Sequence, residues 1–416
     1  MTKVFIPDKD SDKIPILPTI CYCSLSFLDL FCLNLVLPNI PFMCSHFFPD
    51  ISATEIGFYS GYLTACYPLG GIFGNLLFGY IADRFGRKPC FLISSFGTFL
   101  CMNVFGLSAN YPMALITRFL WGLCNGAVGV VKTYVSEVSS RKTQSLGFSL
   151  LSVSSGLSRV IGPLMGGLLV NPQINYPEFT NMFPLFKTYP FYLPCFIAGI
   201  ICLIVFLFTL VFLPETLSKE EIHKRQEMKA HYANQCRLIK EKKVKNPHYV
   251  YTEKEEILVQ LSQDSYIELL KNKYVVITAV LYGMTGFVQG VHDAILPLWL
   301  LNPVGKGGFE WDQTNMGYLY AGVGPIQIVF THILYIELYI CVNIKGIIFA
   351  LFSYKSIYFG SGLLYGLELI LYPLVSYSNQ TNESIQWFFI LISFAFSLCT
   401  RLCNFTYPYK NIYNIY

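Results

Sequence analysis

Gly79-Tyr-Ile-Ala-Asp83-Arg84-Phe-Gly86-Arg87-Lys88-Pro89 sets four charges into six residues between two long stretches that carry none. Upstream, the 27 residues from Ile56 to Ala82 contain no Asp, Glu, Lys or Arg, and neither do the 29 residues from Pro89 to Thr117 downstream. A helix of about 20 apolar residues crosses the hydrocarbon of a bilayer. A charge knot between two such runs is therefore a tight hairpin loop. Its Arg and Lys content predicts that it stays on the cytoplasmic side, because short basic loops resist translocation.

The same pattern extends in both directions. At 54% hydrophobic and 13% charged, with a mean hydropathy of +0.48, the chain is too apolar for a soluble protein of 416 residues. Ten apolar runs fit the bilayer, at roughly 18–43, 56–82, 89–109, 111–134, 145–170, 190–213, 274–300, 315–340, 356–376 and 385–404. The expected fold class is an all-α polytopic membrane protein. A net charge of +4 gives no reason to expect a nucleic-acid partner, and the lipid bilayer is the first partner expected.

The position of the charges sets the topology. Between Glu215 and Lys273 lie 12 of the 29 Lys and Arg together with 10 Asp and Glu, a mixed-charge composition that reads as solvated helix and coil. Only Lys187 and Lys306 fall in loops that this topology places outside. The division expected is a cytoplasmic N-terminus (1–17), a six-helix half (18–214), a charged cytoplasmic linker (215–273) and a second half (274–416). Two sequons, at Asn379 and Asn382, fall in a loop on the outer side. The 14 cysteines lie mostly within spans, where a thiol acts as a small apolar residue, and Cys21-Tyr-Cys23 has poor spacing for zinc. No phosphate loop, nucleophile elbow or zinc motif is present, so neither an enzyme nor a cofactor is expected.

The pattern Gly79-x-x-x-Asp83-Arg84-x-Gly86-Arg87-Lys88 resembles the loop between helices 2 and 3 of the major facilitator superfamily of secondary transporters. Glu55-Ile-Gly-Phe-Tyr-Ser-Gly61, Thr117-Arg118-Phe-Leu-Trp-Gly122, Lys132-Thr-Tyr-Val-Ser-Glu137, Tyr189-Pro-Phe-Tyr-Leu-Pro194 and Asp293-Ala-Ile-Leu-Pro297-Leu-Trp299 are similar to its zinc-induced-facilitator-like and drug:proton antiporter branch. The resemblance implies a helical bundle of two halves, working as a monomer, that moves zinc, another small cation or an organic anion against protons. It also implies that Asp83 and Arg87 join Glu137 and Arg141 in a charge network that gates one access state, with Gly79, Arg84, Gly86 and Lys88 shaping the loop. Two departures stand out. The branch's Cys-Pro-Gly-Cys element near the N-terminus has no counterpart, and the match fades after about residue 340, where only four spans follow the linker instead of six. Helices 11 and 12 of the family plan are thus expected to be missing. That leaves an alternative of another class, a non-transporting truncated relic or a membrane sensor of the same fold.

Ionisable groups at membrane depth are costly and usually functional, and they supply the candidate path. Asp29 lies midway along the first span. A carboxyl group in low dielectric favours its protonated form, which suits a proton carrier, although a salt bridge to Arg118 or Arg159 would also explain it. Arg118 shares a helix face with Gly122 and could bind an anion, bias a carboxylate or pair structurally. Ser158-Arg159-Val-Ile-Gly162-Pro163-Leu-Met-Gly166-Gly167 resembles the fifth-helix antiporter motif, with Ser158 where Gly is usual; small-residue packing alone would also account for its glycines. Gln289, His292 and Asp293 share a face at i, i+3 and i+4, as a proton relay, a divalent-cation site or a polar vestibule wall. Plasma membrane and vacuole-like membrane are both compatible with a chain in which no sorting signal is legible.

Overall fold

In the computed structural model, residues 14–140, 143–216 and 273–320 are described, with isolated positions at 227, 231, 234, 235, 238, 239, 322, 363, 366 and 367. Twelve helices are bounded within them: α1 (Ile16–Val36), α2 (Ile40–Phe47), α3 (Ala53–Phe85), α4 (Arg87–Gly106), α5 (Tyr111–Cys124), α6 (Ala127–Val138), α7 (Gln144–Leu169), α8 (Pro172–Asn175), α9 (Pro177–Met182), α10 (Leu185–Thr188), α11 (Tyr192–Phe212) and α12 (Lys273–Leu301). Residues 313–320 begin a further helical run.

Among the described residues, seven stretches are long and apolar enough to cross a membrane: Ile16–Phe47, Glu55–Phe85, Arg87–Gly106, Tyr111–Val138, Leu146–Leu169, Tyr192–Phe212 and Val275–Leu301. They correspond to the first seven runs expected from the sequence. The run expected at 385–404, all but isolated positions of 356–376, and most of 315–340 lie outside the described residues, as do the body of the linker and both sequons.

Local chemistry sets the helix boundaries. Ser52 and Glu55 form a reciprocal capping box at the start of α3, in which the Glu55 carboxylate accepts from the Ser52 N–H at 3.0 Å. Asn110 caps α5 by accepting from the Met113 N–H at 3.0 Å. Pro38 and Pro41 divide the first span into α1, a 3-10 turn (Leu37–Asn39) and α2. The fourth span is broken at Asn125-Gly126 into α5 and α6, and this break turns the Asn125 side chain into the bundle.

In lipid, the hydrophobic effect does not press helices together, so close packing must do so. Gly122 of α5 lies so near the Tyr67 and Gly71 backbone of α3 that a side chain there would collide with main chain. α1 packs along α7 and α11, α4 along α11 and α5, and Tyr22, Phe31, Phe91, Phe105, Trp121 and Tyr134 fill the centre.

α2 and α7 meet the segment 296–319 at the end of the bundle opposite the α3–α4 turn. There Asn171 Nδ2 donates to Gln313 Oε1 at 3.0 Å. The α7 backbone at Gly167 lies against Gln313 and Gly317, and Phe42 packs on the cluster of Leu296, Leu300, Phe309, Met316 and Leu319.

Candidate functional site

Asp29 is buried at the centre of the first half. The carboxylate faces the amide of Asn125. In the amide orientation that satisfies both groups, the Asn125 nitrogen donates to the two Asp29 oxygens at 3.0 and 3.2 Å while its oxygen accepts from Tyr67 Oη. The opposite orientation would set the amide oxygen against a carboxylate, acceptor to acceptor. Asp29, Asn125 and Tyr67 thus form one chain of hydrogen bonds across α1, the α5–α6 break and α3.

Arg118 lies over the Tyr67 ring. It is fully buried, and its guanidinium carbon sits 4.7 Å from the Trp121 ring centre, 5.2 Å from Tyr67 and 5.7 Å from Phe105. These are cation–π distances. Among the described residues, Nε, Nη1 and Nη2 of Arg118 have no hydrogen-bond partner. Asp29 and Arg118 do not form a salt bridge; aromatic rings hold the cation and an amide holds the carboxylate.

The other expected path residues do not join this cluster in the described contacts. Arg159 is half-buried on α7. Gln289 lies on α12, but its side chain is outside the described residues. His292 is buried, and its Nδ1 is 3.4 Å from Asp293 Oδ1, so the two pair with each other as sequence neighbours. Of the fifth-helix glycines, Gly162 lies against the Phe31 carbonyl and Gly166 against the Leu35 carbonyl, while Gly167 faces the second half. Pro163 lies within α7, and its carbonyl approaches Gly317.

At the linker end, Arg87 donates through Nη1 to Asp83 Oδ1 at 3.1 Å and through Nη2 to Glu137 Oε1 at 2.9 Å. This is three of the four groups that the resemblance implied; Arg141 lies outside the described residues. Arg84 turns away to Tyr80, donating to its hydroxyl and stacking on its ring. Gly86 has φ +100, a conformation that favours glycine. Gly79 and Asp83 line a groove of about 730 Å³ beside Asn75, Tyr80 and Thr133.

A residue that the sequence reading assigned only to the linker joins this cluster. Glu215 accepts from the backbone N–H of Arg87 at 2.9 Å and of Lys88 at 3.0 Å, so it caps the N-terminus of α4, where the helix dipole favours an anion. The hydroxyl of Thr216 donates to Glu137 at 2.7 Å, and that of Tyr134 donates to the Pro214 carbonyl at 3.0 Å. Asn125 was also missed, although its i+7 spacing from Arg118 places both on one helix face. Tyr67 gave no signal among 29 tyrosines.

The ten described cysteines are free thiols, and no group of three or more potential metal ligands occurs among the described residues. Cys32 and Cys202 approach to 3.6 Å between α1 and α11.

Residues 22–411 match the profile of the Major Facilitator Superfamily. A probable peptide/nitrate transporter of Arabidopsis thaliana is 29% identical over 336 residues, covering 79% of this chain and 66% of its own length. The zinc induced facilitator-like 1 protein of the same plant is 30% identical over 300 residues, covering 72% and 59%. The chain therefore spans less than two thirds of the length of these relatives. The crystal structure of a D-xylose–proton symporter superposes with a TM-score of 0.62 at 14% identity, over 93% of this chain and 81% of that one, which is likeness of fold.

Proposed function

Because the chain belongs to the major facilitator superfamily, we propose that it works as a secondary active transporter, exchanging a small solute for protons by alternating access between its two halves. The observation that carries this reading is the division of charge at the centre of the first half. A carboxylate is buried at Asp29 with a neutral amide as partner, and a guanidinium is buried at Arg118 with rings in place of acceptors. A buried ion pair would fix both charges. An amide can hold a carboxyl group in either protonation state by keeping or exchanging its hydrogen bonds, so Asp29 can take up and release a proton in place.

In this reading Asp29 is the proton site and Arg118 the buried cation near it, with Arg159, Gln289, His292 and Asp293 as the other groups assigned to the path. The solute is zinc or another small cation, or an organic anion; the zinc induced facilitator-like relative supports the first class. The Asp83–Arg87–Glu137 cluster works as the gate at the linker end, and the contact of α7 with residues 313–320 as the gate at the other.

The test is reconstitution of the chain in proteoliposomes with an imposed pH gradient, following zinc and internal pH together. Asp29→Asn is expected to abolish gradient-driven flux while preserving solute exchange at equal pH. Gradient-driven flux that persists in Asp29→Asn would overturn the assignment of Asp29.

A further inference from the structure

Between α7 and α11 lies a segment whose composition does not suit a loop in water. Residues 172–188 form three short helices, α8 to α10, and expose a run of large apolar side chains. Ile174 is 78% and Met182 74% exposed, and Tyr176, Phe179, Phe183 and Leu185 are exposed as well. A soluble surface scatters such residues singly, whereas a contiguous patch of them marks an interface.

The contacts of the segment indicate what covers it. Phe186 stacks on Tyr192 at 5.5 Å and meets Phe196 at 6.1 Å, both on α11. Phe179 lies 5.3 Å from Phe186, and Phe183 lies 5.2 Å from Phe179. The rings make a continuous path from Phe183 to Phe196, which begins the exposed apolar face that α11 continues through Ile200, Ile204, Leu207 and Val211. That face belongs to a helix long and apolar enough to cross a membrane, where an exposed apolar face is suited to lipid.

We propose that residues 172–188 are an interfacial membrane anchor, seated in the headgroup–acyl boundary of the leaflet at the end away from the linker. The occupant of the patch is bilayer lipid. Its charged side chains are one acid, Glu178, and one base, Lys187, so seating depends on apolar and aromatic area and not on anionic headgroups. The anchor has a mechanical consequence. Asn171, the residue immediately before α8, has a left-handed φ of 50° and makes the contact with Gln313. Seating the segment in lipid therefore fixes the outer end of α7 at the point where the halves touch.

The test uses the full chain in phosphatidylcholine nanodiscs with methyl-labelled methionine, the Met182 signal being assigned by its loss in Met182→Leu. Phosphatidylcholine carrying a nitroxide close to the headgroup is expected to erase the Met182 resonance, while a water-borne gadolinium chelate affects it less. The same result is expected when anionic lipid is added. Met43, buried on α2, supplies the protected reference. A Met182 signal that follows the gadolinium chelate, or that neither reagent reaches, would overturn the proposal. The readout does not depend on transport, so it stands or falls apart from the role of Asp29.

Discussion

The amide of Asn125 joins two groups that would otherwise be buried alone, the Asp29 carboxylate and the Tyr67 hydroxyl. Replacing Asn125 with Leu keeps its approximate volume and removes the donor, leaving a buried carboxyl group unsatisfied at a cost of about 1–3 kcal/mol. The expected outcome is a lower thermal midpoint for the detergent-solubilised chain. Tyr67→Phe strands the amide oxygen and is expected to destabilise less, since the phenyl ring still packs against Arg118. Because the two substitutions break one chain of hydrogen bonds, the double variant should lose less than the sum of the singles, with a coupling of about 0.5–3 kcal/mol. Strict additivity would mean that the two side chains act separately. Asp29 and Arg118 are legible in the sequence because a charge stands out in an apolar run. Asn125 and Tyr67 are not, because their roles arise only when the break after Cys124 brings three helices together.

At the scale of the element, the turn into α4 shows why a motif can be read in full while its support is missed. Gly79 to Pro89 announces a hairpin from its own residues, but the group that caps the next helix, Glu215, comes from a position 128 residues away. No local period reports such a contact. Its strength can be tested. Glu215→Ala removes the acceptor for two N–H groups at the start of α4 and is expected to cost about 1–3 kcal/mol. Limited trypsin digestion should then cut faster at Arg84 and Arg87. Gly86→Ala is expected to act in the same direction for two reasons. Its φ of +100 strains an L side chain, and the added carbon would lie 2.6 Å from the Glu215 carboxylate. Unchanged cleavage in both variants would show that the turn holds without its cap.

The whole molecule was legible where membrane physics leaves few choices. A spanning helix must satisfy its backbone internally and be long enough to cross, so seven of the ten runs read from hydropathy reappear among the described residues as membrane-length helical stretches. How the halves meet was not legible, because the meeting points are glycines and amides that carry no hydropathy signal. Alternating access requires that the end closed by Asn171 and Gln313 open in part of the cycle. Placing cysteines at both positions (Asn171→Cys with Gln313→Cys) puts thiols where side chains now touch, within reach of a short bis-methanethiosulfonate cross-linker. Cross-linking is expected to stop solute flux in proteoliposomes, and a reductant is expected to restore it. Either single variant and the parent chain should be unaffected by the reagent; seven of the ten described cysteines are buried. Full flux through a chain shown by its mass to be cross-linked would mean that the halves do not part at this end, and the cycle would have to run through movement at the Arg87 cluster alone.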